Sequence, residues 1–130
     1  MPTASDLLRA ARQARQHAYA PYSKFAVGAA LLTKDGDVVT GANVENASYP
    51  VGMCAERTAL FAAAAQGHRS FDAIAIAGPE GVALTPCGAC RQALSEFGDL
   101  RVIREGHEDV TLRELLPDAF GPGHLARTGV

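Results

Sequence analysis

A chain of 130 residues, 48% of them hydrophobic, is long enough for one compact domain with its own core, and this composition excludes a disordered segment. A formal net charge of −2 and the absence of tryptophan leave no basic footprint for a nucleic acid, so the expected partner is a small molecule. No apolar window has the length of a membrane span, and residues 1–6 lack the basic-then-apolar form of a signal peptide, which together predict no membrane partner and a cytoplasmic, reducing location.

In chain order, residues 3–6 (Thr-Ala-Ser-Asp) can cap a first helix, which Leu7, Leu8, Ala11 and Ala14 continue to about residue 18 before Pro21 stops it. Residues 25–33 and 38–44 read as two strands of a hairpin, turned by Lys34-Asp35-Gly36-Asp37. A helix over 54–66 follows, ended by Gly67. Residues 71–77 form a nearly continuous apolar strand, as expected for one covered on both faces. After a loop over 78–86, a helix over 88–97 ends at Gly98, a strand occupies 100–104, and Thr111 to Glu114 resembles a capping box for a short last helix limited by Pro117. Strand-helix-strand units favour parallel neighbours and the hairpin adds an antiparallel one. The order predicts a single domain over 1–130 with a three-layer α/β/α architecture and a central mixed β-sheet.

Three cysteines are an odd number, and Cys87 and Cys90 lie only three apart, so a disulfide framework is not expected. Cys54-Ala55-Glu56 and Pro86-Cys87-Gly88-Ala89-Cys90 each fall at a loop-to-helix junction, where free backbone N–H groups and the positive helix end stabilise thiolates. The spacing of Cys87 and Cys90 lets both sulfurs converge on one ion, and Cys54 can supply a third at ~2.3 Å, the usual Zn–S length. A structural zinc closes its shell with four protein ligands, whereas a catalytic zinc keeps a position for water. No fourth cysteine exists, and His17, His68, His107 and His124 have no motif spacing to the cluster. The site therefore reads as open. Glu56, two residues after Cys54, is placed to act on the activated water and to move protons as a general acid and base. Taken alone, Cys87 and Cys90 equally suit a redox pair, and a favourable charge at a helix start is the usual explanation for an acid such as Glu56, over which its position after Cys54 favours catalysis.

A glutamate two residues after one ligand, with Pro-Cys-x-x-Cys supplying the others, is the pattern of zinc nucleobase deaminases. The chain resembles the short, homotetrameric cytidine deaminases of the zinc-dependent cytidine/deoxycytidylate deaminase family. Residues 25–30 (Phe-Ala-Val-Gly-Ala-Ala), 43–49 (Asn-Val-Glu-Asn-Ala-Ser-Tyr), 54–56, 86–92 (Pro-Cys-Gly-Ala-Cys-Arg-Gln) and 115–121 (Leu-Leu-Pro-Asp-Ala-Phe-Gly) carry the resemblance in order. It implies one Zn2+ per chain on Cys54, Cys87 and Cys90, with Glu56 as proton shuttle. The implied reaction is hydrolysis of cytidine and deoxycytidine to the uridines and ammonia, as in pyrimidine salvage. By the same resemblance Asn43 and Glu45 bind the ribose hydroxyls, the Ala55 carbonyl recognises the exocyclic amine, Phe25 and Phe120 form aromatic walls, and Tyr49 contributes near a subunit boundary. Residues two apart on an extended chain point to the same side, which suits Asn43 and Glu45 to one sugar. Arg57 is a cation in a first helical turn, where the dipole disfavours it. Zinc with three thiolates carries one net negative charge, so the expectation is that Arg57 offsets that charge and tunes the metal. An aminonucleoside-antibiotic deaminase shares the zinc motifs and a non-enzymatic zinc module shares the ligands. The segment 43–49 favours ordinary nucleosides.

Overall fold

The computed structural model describes residues 1–126, and the last four residues of the expected domain lie outside the described residues. Helix α1 (Ala4–Ala14) starts on a complete capping box: the Asp6 N–H donates to Thr3 Oγ1 at 3.1 Å and the Thr3 N–H donates to the Asp6 carboxylate at 2.9 Å. The α form stops four residues short of the expected end and tightens into a 3₁₀ turn, Arg15–His17. Arg15 Nε donates to the Ala26 carbonyl at 2.9 Å, which ties this turn to the chain entering the sheet.

Strands β1 (Gly28–Thr33) and β2 (Val38–Ala42) form the hairpin. Both are shorter than the sequence pattern suggests. Residues 25–27 leave the ladder because side chains take most of their backbone groups: Val27 N–H donates to Asn43 Oδ1 at 2.9 Å, Asn43 Nδ2 donates to the Phe25 carbonyl at 2.8 Å and Arg15 takes the Ala26 carbonyl, while the Val27 carbonyl still accepts from the Asn43 N–H at 3.2 Å. Val44 continues only as isolated bridges to Tyr19 and Met53. Helix α2 (Ala55–Ala65), strand β3 (Phe71–Ala77), helix α3 (Gly88–Ser95) and strand β4 (Arg101–Arg104) follow as expected. Gly67 and Gly98 close the two helices with φ of 98° and 99°, a backbone conformation that glycine adopts without strain. A two-residue strand β5 (Val110–Thr111), helix α4 (Leu112–Leu115) on a Thr111–Glu114 capping box, and a terminal helix α5 (Pro122–Ala126) complete the described fold.

The sheet order is β2-β1-β3-β4-β5, and β3 and β4 are its parallel pair. β2 and β3 point the same way, being both antiparallel to β1, but β1 lies between them. The β2-α2-β3 unit thus gives parallel strands that are not neighbours, because the hairpin partner already occupies that edge of β3.

Alternation along the strands builds two different faces. Ala29, Leu31, Ile74, Ile76 and Val102 point toward Ala59, Leu60, Ala63 of α2 and Leu94 of α3. Ala30, Leu32, Ala73, Ala75, Ala77 and Ile103 point toward Leu7 and Ala11 of α1. The alanine-rich face lets α1 approach closely: a Cβ at Gly28 would fall 2.0 Å from the Ala11 carbonyl oxygen. This is the three-layer α/β/α arrangement expected from the sequence. No described helix is long and apolar enough to cross a membrane.

Candidate active site

Cys54 and Cys87 are the N-cap residues of α2 and α3, and both have extended backbones. Neither side chain caps its helix. The sulfurs are turned instead toward each other, with Cys54 Sγ 3.9 Å from Cys87 Sγ. Cys90, one turn into α3, is fully buried, and the sulfurs of all three cysteines lie within 4.8 Å of one another. Among the described residues this is the one group of histidine, cysteine and acidic side chains placed to share an ion.

The geometry can be tested against zinc directly. Two sulfurs at ~2.3 Å from a tetrahedral ion lie about 3.8 Å apart, close to the separation of Cys54 and Cys87. The donor set fits as well. The Cys54 thiol is lowered to about 5, chiefly by the hydrogen bond it accepts from Cys90, with Arg57 and Cys87 adding to it. Cys90 is pushed up because it is the donor in that bond and is buried. The cluster already favours one thiolate, and a cation in its centre would hold all three.

Glu56 stands two residues into the cluster's own helix and is 5% exposed. Burial raises its pKa, and the neighbouring Cys54 charge adds to the effect. Arg57 Nη2 donates to Cys54 Sγ at 3.5 Å, so its charge is applied to a ligand sulfur as the sequence suggests.

A cavity of about 560 Å³ opens beside Cys54. Asn43, Glu45, Tyr49, Cys54 and Arg57 line it, so five of the residues singled out in the sequence meet at one opening. Glu45 accepts from the N–H groups of Tyr22 and Ser23 at 3.0 and 3.1 Å and from the Ser23 hydroxyl. These bonds, the Ser23 hydroxyl foremost, hold its carboxyl below the usual glutamate range. Tyr49 is 75% exposed and its ring meets Tyr22 at 6.0 Å between centroids.

The other expected residues are placed differently. Ala55 is fully buried, and its carbonyl oxygen lies against Gly41, 2.8 Å from where a Cβ there would stand. Phe25 flanks the opening through its carbonyl bond to Asn43 rather than lining the cavity. Phe120 lines a separate depression of about 280 Å³ beside α3 and α4, where its ring stacks on His124 at 5.2 Å. Tyr22 and Ser23 were not singled out from the sequence, although both line the cavity. The available signal was their place immediately before the motif that begins at Phe25. Arg91 and Gln92, within the motif over 86–92, carry no role legible in the sequence, and both fasten the C-terminal segment: Arg91 Nη1 donates to the Leu115 carbonyl at 2.8 Å and Gln92 Nε2 to the Phe120 carbonyl at 2.9 Å.

Three converging thiols and a buried carboxyl at paired helix starts, on a mixed sheet between helical layers, define a metal-dependent α/β/α protein with a catalytic rather than structural centre. Residues 1–105 match the family model for the cytidine and deoxycytidylate deaminase zinc-binding region. A cytidine deaminase from Halalkalibacterium halodurans is 50% identical over 120 residues, covering 88% of this chain and 91% of its own. One from Mycobacterium tuberculosis is 47% identical over 118 residues, covering 90% and 89%. The crystal structure of cytidine deaminase from Burkholderia pseudomallei superposes with a TM-score of 0.82 at 50% identity, covering 91% of this chain and 99% of that one. That of the Mycobacterium tuberculosis enzyme gives 0.79 at 45% identity, with 88% and 94% covered. The chain belongs to the zinc-binding cytidine and deoxycytidylate deaminase family. Its metal is zinc.

Proposed function

We propose that this chain hydrolyses the 4-amino group of cytidine and deoxycytidine, giving uridine or deoxyuridine and ammonia, with Cys54, Cys87 and Cys90 holding the zinc. The observation that carries this reading is the three-sulfur cluster with buried Glu56 behind it and a cavity lined by Asn43 and Glu45 in front. When bound, zinc supplies Lewis acidity and an activated water at a position the three sulfurs leave open. The remaining work belongs to the side chains. Glu56 has a carboxyl whose pKa is raised by burial, which eases its taking up a proton. It delivers a proton to the ring nitrogen N3 and then one to the departing amine.

Sugar selection follows from the hydrogen bonds that Asn43 and Glu45 leave unused. Asn43 spends one amide hydrogen and one acceptor site on the backbone of Phe25 and Val27, which leaves one of each. Glu45 accepts three hydrogen bonds from Tyr22 and Ser23, which leaves room for a hydroxyl donor. A free base would leave these groups without partners, and sites built to bond a hydroxyl reject analogues that lack it. In this reading the Ala55 carbonyl meets the exocyclic amine on the strength of the resemblance alone, and Arg57, bonded to Cys54 Sγ, partly neutralises the sulfur cluster.

The assembly is a homotetramer in this reading. Tyr22, Val44, Tyr49 and Val51 leave apolar surface exposed at or beside the cavity. Phe120, which lies apart from the cavity of its own chain, acts as an aromatic wall only by reaching the site of a neighbouring copy; Phe25 and Tyr49 border that boundary. Sedimentation that finds an active monomer refutes this part. The free cysteines suit a reducing cytoplasm and a place in pyrimidine salvage.

The test couples zinc quantification to ultraviolet monitoring of cytidine conversion. About one zinc per chain and steady ammonia release are expected. Glu56→Gln keeps the zinc and the fold while turnover drops roughly 10²- to 10⁴-fold. A metal-free active protein cycling between dithiol and disulfide would make the chain a redox module instead.

A further inference from the structure

Cys87 is the exposed member of the three ligands, and the chain leading to it has little backbone support. Among the described residues, residues 78–86 have one backbone hydrogen bond outside the regular elements, from the Val82 N–H to the Pro79 carbonyl at 3.0 Å, and the Cys87 carbonyl accepts the first helical bond from the Arg91 N–H at 3.0 Å. Leu84 packs over Gly78, where a Cβ would fall 2.4 Å from Leu84 Cδ1, and this fixes the middle of the loop. Two guanidinium groups fix its end. Arg91 Nε donates to the Pro86 carbonyl at 2.7 Å while its Nη1 donates to Leu115 at the end of α4. Arg104 Nη1 donates to Thr85 Oγ1 at 3.1 Å while its Nη2 donates to the Glu108 carbonyl at 3.1 Å.

The two residues directly before Cys87 are therefore gripped from different sides, each by an arginine whose other arm is tied to a separate part of the fold. A guanidinium is a planar fork with donors at fixed angles, so it holds two acceptors at a set separation, and its charge strengthens both bonds. Among the described residues no backbone hydrogen bond outside the regular elements reaches Thr85 or Pro86. We propose that Arg91 and Arg104 are positioning residues that preset the Cys87 turn for zinc, an inference that rests on reading Cys54, Cys87 and Cys90 as the zinc ligands. Partners behind metal ligands typically change metal affinity 10- to 100-fold when removed. Arg91 also links the ligand turn to the segment that carries Phe120.

The measurement is the rate at which the zinc-loaded protein releases its metal to a chromogenic chelator. Arg91→Lys keeps the charge but cannot span two carbonyls, Arg104→Met removes the second brace, and Thr85→Val removes only the hydroxyl acceptor. Each is expected to release zinc about 10-fold faster, with the metal-free forms melting together with the metal-free parent. The Thr85→Val, Arg104→Met double variant should be no faster than Arg104→Met alone, since that substitution already removes the bond to Thr85. Parent-like release from Thr85→Val and Arg91→Lys overturns the proposal, as does a loss of metal-free stability that accounts for the faster release. A parent chain that takes up no zinc would instead overturn the functional reading beneath it.

Discussion

Gly41 lies in β2 directly beneath the first turns of α2. A Cβ placed there would stand 2.5 Å from the Ala59 nitrogen, 2.8 Å from the Ala55 oxygen and 3.0 Å from Ala59 Cα. All three are backbone atoms, so no side-chain rotation relieves the clash. Ordinary contact begins near 3.4 Å. In Gly41→Ala, α2 must retreat by about 1 Å, an overpacking that costs ~1–3 kcal/mol. For a domain of this size the melting temperature should fall by up to about 10 °C. Activity should suffer more than stability, because the displaced turn carries Cys54 and Glu56 away from Cys87 and Cys90 on α3. Misplacing a reacting group by ~1 Å costs on the order of 100-fold in rate. The assay is turnover of cytidine well below the melting transition, with thermal melts of the same preparations. Gly123→Ala serves as control, since beyond its chain neighbours and its own helix backbone no heavy atom of the described residues lies within 4 Å of the added methyl. If Gly41→Ala melted with the parent and kept its turnover, the argument that glycine sets the seat of α2 would be wrong.

Three other expectations are simpler to check. Arg57→Gln removes the cation bonded to the Cys54 sulfur, so the acid limb of the pH–rate profile should move to higher pH and zinc retention should change; unchanged behaviour in both would reject a tuning role. Glu45 has a lowered pKa, so the order it lends the Tyr22–Ser23 turn is complete above the ordinary value of 4.5 and is lost as pH falls through the lowered one. Amide exchange at Tyr22 and Ser23 should show this acid loss in the parent, and its persistence in Glu45→Gln would contradict the assignment. Thr111→Ala deletes the cap of α4, whose Oγ1 accepts from the Glu114 N–H at 3.3 Å, and should lower unfolding free energy by about 1 kcal/mol in denaturant titrations.

Much of the fold was legible because local chemistry and long-range packing agree. The strand over 71–77 has the predicted bounds, set by an apolar run broken by Asp72 alone, which two helical layers cover, and by Gly78, on which Leu84 packs. The helix starts at 54–55 and 87–88 are marked by the same cysteines that make the site, so motif and boundary reinforce each other. The misreadings have one physical origin, which is competition from contacts distant in sequence. Residues 25–27 carry a strand pattern, yet the Asn43 amide takes their backbone partners. β5 is two residues long and exists through pairing with β4, a register that no local periodicity encodes. The same reason hides Arg91 and Arg104, whose acceptors at Leu115 and Thr85 lie 24 and 19 residues away. Phe120 was legible as an aromatic in a motif, but not as a member of a different depression from the one lined by Asn43 and Glu45.

Cys54 and Cys87 open their helices without capping them. Where serine or aspartate would normally satisfy the first amides, these side chains turn outward to sulfur chemistry. An ion held by both sulfurs would be a rivet between the starts of two helices that lack a side-chain cap. Loading the centre would brace both helix starts at once, fastening thiols that the fold has already brought together.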